Sequence, residues 1–351
     1  MPLRTKPAIP LDAPAQAGDV PPPAARATTT RRVSRLRQHR AFLSALAFFV
    51  LMIAAFMITS PTVFLHPRIY LSVFSSSLPL VLLLAVPAVF IVVSGEIDLS
   101  FPSVVGVTAF VFSYLFDHGI NAYVAFLAAV AIGAVTGLMI GFIVSYVGLP
   151  SLVVTLGMMF LLRGLVQVLS GGNAISLVEL RDSTFDKIFI AKWHWLPMSM
   201  VWALLLAIVG VVLFTLHRFG AHIRAIGDNP AAANQMGINV RRTKLLAFVY
   251  MGAASGVAGV FSVTINANFY PTAGDGLLLL VLAAVFVGGT PVWGGTGTVA
   301  GAIVGAATVG FIETGIIAAG LTGNYTQLFY GFVILLSLVA HRISNKGALT
   351  R

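Results

Sequence analysis

From Ala41 onward the chain is a succession of long, charge-free apolar stretches separated by short polar gaps. A helix needs about 20 apolar residues to cross the hydrocarbon of a bilayer. The pattern predicts helices over 41–60, 70–94, 101–116, 121–147, 150–169 and 196–216, then a second group over 245–266, 277–293, 297–319 and 325–341. The expected fold class is therefore all-α, a polytopic membrane protein with about ten transmembrane helices. The piece at 101–116 is short for a full crossing. The glycine-rich stretch at 287–297 reads as a broken or re-entrant element.

The polar positions orient this array. Basic residues cluster in the N-terminal tail, in the gap holding Arg218, Arg224, Arg241, Arg242 and Lys244, and at the end with Arg342, Lys346 and Arg351. Positively charged loops stay on the cytoplasmic side. All three clusters, and both termini, are placed there, so an even number of spans must separate them; six and then four satisfy this. The loop 170–195 falls outside, and its Glu179, Asp182 and Asp186 balance Arg181, Lys187 and Lys192. The layout is a basic cytoplasmic tail at 1–40, a transmembrane domain at 41–342 with a cytoplasmic loop at 217–244, and a tail at 343–351.

Composition sharpens this picture. Hydrophobic residues make up 58% of the 351 and charged ones 9%, against about 25% charged in soluble domains. The net charge of +10 would suit nucleic acid, but the charges lie in topology-setting gaps and eight of 21 Lys and Arg precede Ala41, so no nucleic-acid partner is expected. With no cysteine there is no disulfide, thiolate site or cysteine nucleophile, and the seven histidines show no metal-ligand spacing. The first 40 residues, with Pro21-Pro22-Pro23 and five arginines from Arg31 to Arg40, read as disordered. An organelle transit peptide is the alternative.

Within the bilayer, glycines repeat at four-residue spacing as Gly133, Gly137 and Gly141, as Gly297, Gly301 and Gly305, and as Gly252 and Gly256. Such stripes let helix backbones approach closely, within one chain or between two copies. Between the apolar runs, Asp228 or Asn229 can cap a helix, Pro230 suits its first position, and Gly237 its end. A helix of about two turns is expected at 230–236, lying along the membrane as a docking element for a cytoplasmic partner.

Here the sequence resembles a known family. Gly227-Asp228-Asn229-Pro230, Ala232-Ala233 and Gly237-Ile238-Asn239-Val240-Arg241-Arg242 look like the coupling loop of ribose-type permeases of binding-protein-dependent ATP-binding-cassette importers. Ser94-Gly95-Glu96-Ile97-Asp98-Leu99-Ser100 resembles that family's Gly-Gly-Ile-Asp-Leu-Ser signature. Thr155-Leu156-Gly157 with Arg163-Gly164 resembles its fifth-helix motif, and Gly288-Gly289-Thr290 with Gly294-Gly295-Thr296-Gly297 its glycine-rich segment. The patches occur in family order across about 45–342. Two departures stand out: Ala231 replaces an acidic residue before the paired alanines, and Glu96 stands where glycine is usual.

The resemblance implies a bacterial inner-membrane permease subunit that dimerises with a second permease subunit. A periplasmic sugar-binding protein would deliver a monosaccharide or related polyol, and a cytoplasmic ATPase subunit would bind ATP and Mg. This chain lacks a phosphate loop, so it is expected to bind no cofactor and to be no enzyme. Candidate path residues are Glu96, Asp98, Asn266, Asn268 and Glu313. Four of them have a plainer reading: Asp98 as a helix cap, Asn266 and Asn268 as polar turn residues at the interface, and Glu96 as a group outside the path; Glu313, an acid well inside its span, is a functional candidate by default. Arg163 either snorkels or pairs with an internal carboxylate. The rivals are a branched-chain amino acid permease of the same class, and a proton-coupled secondary transporter relaying through Glu96, Asp98 and Glu313. A membrane-embedded enzyme would need converging catalytic groups, and none stand out.

Overall fold

The computed structural model describes residues 42–323 and 325–349, and most of them are helical. The tail at 1–40 and its arginine cluster lie outside the described residues, as do Thr350 and Arg351. The chain begins with α1 (Phe42–Thr59), short α2 (Pro61–Phe64), α3 (Pro67–Ser75) and α4 (Leu78–Val93). Then come α5 (Phe101–Asp117), α6 (Ala122–Phe142, continued by a π-turn to Val147) and α7 (Ser151–Ser170). After an excursion holding α8 (Thr184–Phe189) the chain returns through α9 (Met198–Thr215). Two polar helices follow, α10 (Arg218–Asp228) and α11 (Pro230–Gln235), then α12 (Val240–Asn266), α13 (Leu277–Val287), α14 (Val299–Ala318) and α15 (Tyr325–Leu349).

Six of these helices are long and apolar enough to cross a membrane: α1, α6 with its π-turn, α7, α9, α12 and α14. The pair α3 and α4, bent by 55° between them, makes a seventh if it is one span. α5, α13 and the apolar part of α15 are shorter. Every segment expected from the sequence holds a helix or this bent pair, but 277–293 holds only the 11 residues of α13. α15 stays helical through 343–349.

Burial follows the apolar pattern. All 16 residues of α4 are buried, because a helix apolar on every side belongs at the centre of a bundle. α6, α7 and α9 keep large side chains such as Leu127, Phe160 and Ile208 exposed on their outer faces. The glycine stripes meet one another inside the chain. A Cβ on Gly133 would lie 2.3 Å from the Gly252 carbonyl oxygen, and one on Gly137 2.3 Å from that of Phe248. On Gly305 it would lie 1.9 Å from the Ala284 oxygen, so α13 and α14 cross with backbones in contact.

The 170–195 loop is ordered where only its charge balance was expected. α8 packs Phe185 and Phe189 against Phe126 and Trp202, and its N-cap Ser183 accepts from Asp186 N. Ile175-Ser176 pairs antiparallel with Asn268-Phe269, and Lys192-Trp193 with Leu196-Pro197.

Candidate functional site

The polar segment between α9 and α12 folds as its capping residues dictate. Asn229 Oδ1 accepts from Ala231 N (3.0 Å) and Ala232 N (3.1 Å), Pro230 opens α11, and Gly237 ends it at φ +79°. Gly237 N donates to Asn234 O and Ile238 N to Ala233 O, closing the turn. Asn239 Oδ1 then accepts from Arg242 N (2.9 Å) and starts α12. Ala233 is buried, whereas Ala231, Asn234, Gln235, Met236, Arg241 and Arg242 are exposed. Met236 is 67% exposed, an apolar side chain on a polar loop. The sequence reading missed α10, although Phe219, Ile223 and Ile226 recur at helical spacing and face the bundle.

At the end of α10 three of the four motif patches converge. A Cβ on Gly227 would lie 1.8 Å from the Val93 carbonyl oxygen and 2.5 Å from Gly295 N. Gly295 N in turn donates to Val93 O (2.9 Å), and Gly294 lies against Gly95. The glycine-rich 287–297 stretch thus connects α13 to α14 at this end of the bundle. Its glycines are small because three backbones share the space, and Gly294, Gly295 and Gly297 all have positive φ.

Charges brace the junction. Arg224 Nη1 donates to the Phe214 carbonyl, and its guanidinium lies 5.0 Å from the Phe214 ring centroid. Burial lowers the Arg224 pKa, with Asp228 opposing; burial raises that of Asp228, with Arg224 opposing. Lys244, one turn into α12, forms an ion pair with Glu96 in the turn between α4 and α5, and both side chains are largely covered (17% and 15% exposed). Asp98 is buried, and its Oδ1 accepts from Ser100 N (2.7 Å) and Ser100 Oγ (2.5 Å) at the start of α5.

The other candidate residues are elsewhere. Asn266 ends α12, (266 − 244) = 22 residues or about 33 Å along the helix from Lys244. Its side chain donates to Ser262 O, and that of Asn268 donates to Asn266 O. Glu313 is half-buried on α14, with Tyr330 of α15 in its electrostatic reach. Glu96 and Asp98 therefore share one end, Asn266 and Asn268 the other, and Glu313 joins neither.

A polar feature that the sequence did not single out lies between those ends. After α12 the chain turns at Ala267 (φ +51°), and Phe269 packs on Phe110. Residues 270–276 then run back into the bundle as turns, until a Cβ on Gly274 would lie 2.2 Å from the Pro102 carbonyl oxygen. Ser103 Oγ donates to Met159 O, so Pro102 lies level with residue 158 of α7. That is (158 − 151) = 7 residues, about 10 Å, from the α7 start, in a helix about 30 Å long. Only at Leu277 does α13 begin. Arg163 of α7 holds this loop, donating to Pro271 O (3.1 Å) and Ala273 O (3.0 Å) and pairing with Asp275. Of the two readings of Arg163, the structure shows the internal pair. The Asp275 side chain is 58% exposed.

Six or seven membrane-length apolar helices, with a capped polar segment locked into one end, make the chain a polytopic membrane protein. The family described as the branched-chain amino acid transport system permease component matches residues 70–338, and the chain belongs to it. It is 32% identical over 271 residues to the ribose import permease protein RbsC of Escherichia coli strain K12, covering 75% of this chain and 82% of the relative. It is 35% identical over 310 residues to the autoinducer 2 import system permease protein LsrC of Klebsiella pneumoniae, covering 86% of each. The inner membrane ABC transporter permease protein YjfF of Escherichia coli strain K12 is 32% identical over 269 residues, covering 74% and 80%. No solved structure shows significant similarity to the chain. The chain is thus a multi-pass permease component of an ABC transporter and not itself an enzyme.

Proposed function

We propose that the chain forms, with a second copy, the membrane path of an importer for a monosaccharide or related polyol. A periplasmic binding protein delivers the sugar, and ATP with Mg is hydrolysed on a cytoplasmic partner. This chain binds neither nucleotide nor metal. In this reading the bundle crosses the bacterial inner membrane ten times, the shorter α5, α13 and α15 included, with both termini and α10–α11 in the cytoplasm. Gly227, Asp228, Asn229, Pro230, Ala232, Ala233, Gly237, Ile238, Arg241 and Arg242 form the coupling segment. The ribose-importing relative favours a sugar, whereas the family description alone would equally suit a branched-chain amino acid.

One observation carries the reading: Gly227 meets Val93 and Gly295 backbone to backbone. A push on the exposed face of α11 reaches the end of α4 and the connection between α13 and α14 through this backbone contact, and rigid-body rocking needs such a contact. A proton-coupled carrier is less favoured, because Glu96 is held by Lys244 and Asp98 by Ser100. Reconstitution in liposomes with the ATPase and the binding protein tests the proposal. Sugar uptake is expected only when both proteins and ATP are present. Uptake by this polypeptide alone under a pH gradient would establish the carrier instead.

A further inference from the structure

The Arg163–Asp275 pair is unexplained by the coupling role and lies far from the α10 junction. Arg163 follows the α7 start by (163 − 151) = 12 residues, about 18 Å, and long helical side chains lean back toward the N-terminus. Its guanidinium therefore lies near mid-depth. Asp275 and Thr272 are exposed at the same depth, in a loop whose backbone is not helical. Two physical rules bear on such a place. Irregular backbone inside a bilayer is tolerated only where it is buried in protein or lines water. Ionisable side chains there face a bundle interior or a water-filled cavity, because lipid solvates them poorly. Pro271 and Gly274 are buried, but Asp275, Thr272 and Gly276 are open on the surface of the single chain. In the single chain no protein covers that open face, so it meets water unless the second copy packs on it.

We infer that residues 270–276 form a polar subsite in the wall of the translocation path, with the Asp275 carboxylate, held by Arg163, presented to hydroxyl groups of the passing solute. The inference rests on the permease reading and adds to it a place and a chemistry. Asp275 Oδ1 faces Arg163 Nη2, and the carboxylate has further lone pairs for a solute O–H. Arg163 fixes the loop through the two carbonyls as well as the charge, so the carboxylate is pre-positioned. A neutral polyhydroxylated solute gains brief charge-assisted hydrogen bonds there. A branched aliphatic side chain would gain nothing from them.

The chain has no cysteine, so single cysteines can be introduced into the natural sequence. Thr272→Cys leaves the ion pair intact and Asp275→Cys replaces one partner. Thr184→Cys in α8 is the exposed control, and Ile208→Cys on the outer face of α9 the lipid-facing one. The probe is a charged, membrane-impermeant methanethiosulfonate, applied to right-side-out and inside-out vesicles containing the complete transporter. Modification of Thr272→Cys from at least one side, with Ile208→Cys unreactive, is expected, together with a loss of sugar uptake of about tenfold after modification. Uptake by modified Thr184→Cys should be unchanged. Thr272→Cys as inert as Ile208→Cys, or modified with undiminished uptake, would overturn the inference. Asp275→Asn keeps the size and loses the charge; it should slow sugar uptake about tenfold, the worth of one hydrogen bond to a charged group, while Asp275→Glu restores part of it. Failure of the unsubstituted complex to transport any sugar would count against the permease reading, and thiol reactivity would still report whether this loop meets water.

Discussion

The α10 end of the bundle and the loop at 270–276 are both irregular and rich in glycine, yet they are built oppositely. At the first, three backbones touch, and Gly227 has no room for even a methyl group. At the second, one arginine fork holds the loop and Asp275 is left open. Gly274 is placed tightly too, a Cβ on it lying 2.2 Å from the Pro102 oxygen, but Gly276 beside Asp275 stands in open space, so the loop is packed on one side only. The sharpest way to break the comparison is to add bulk at the tight end. Gly227→Val would drive a side chain into the Val93 carbonyl and Gly295, and neither backbone can move without shifting α4 or the turn before α14. Gel filtration should show loss of the folded protein, and uptake should vanish. Gly237 makes the contrast within one segment: an added Cβ there meets nothing within 4 Å, and only its φ of +79° resists substitution. Gly237→Asn should fold and transport, whereas Gly237→Val should lose about 1–2 kcal/mol of stability through left-handed backbone strain.

The next effect in size concerns Glu96 and Lys244. Removing one charge leaves the other largely covered and unpaired, which costs about 3 kcal/mol in a fully buried site and less here, about 2 kcal/mol, since each side chain keeps some exposure. Glu96→Gln or Lys244→Met alone should lower the apparent melting temperature of the purified protein. The double variant should recover most of the loss. If the single and double variants melt alike, the pair does not join the α4–α5 turn to α12.

These two regions also show what could be read in advance. The helical segments were legible because apolar length alone decides what enters a bilayer. The α11 cap was legible because Asn229, Pro230 and Gly237 each act within a few residues of themselves. The α8 helix carried a readable signal, Ser183 three residues before Asp186, and was overlooked. The Glu96–Lys244 pair spans 148 positions and no local pattern announces it. The loop at 270–276 was hidden for a related reason: its turns precede an apolar run that reads as one full span over 277–293, whereas α13 supplies only 11 helical residues. Where a non-helical stretch dips into the bundle depends on a partner, Arg163, on another helix.

Smaller effects separate docking from mere folding in the coupling segment. Asn229→Ala removes two hydrogen bonds at the α11 start and should cost about 1 kcal/mol. Sugar uptake per ATP hydrolysed should fall by a larger factor than the yield of folded protein. An equal fall in both would reduce α11 to a structured linker.

The smallest effect belongs to Asp228, and its sign is fixed by burial. The folded-state pKa lies above the ordinary 3.8, chiefly because partial burial disfavours the carboxylate, with Arg224 only partly offsetting this. The folded protein therefore binds this proton more readily than the unfolded chain. Stability declines as pH rises from 3.8 through the folded-state value, and above it the full cost is present. The position reinforces that cost, since Asp228 ends α10, where the helix dipole opposes negative charge. Asp228→Asn removes the charge while keeping the shape. Because the side chain is exposed, its gain at neutral pH should be about a degree in apparent melting temperature, fading as the pH is lowered toward 3.8. A variant less stable than the natural sequence at neutral pH would show that the Arg224 attraction outweighs burial, and the junction would then hold through charge as well as through the close backbones at Gly227.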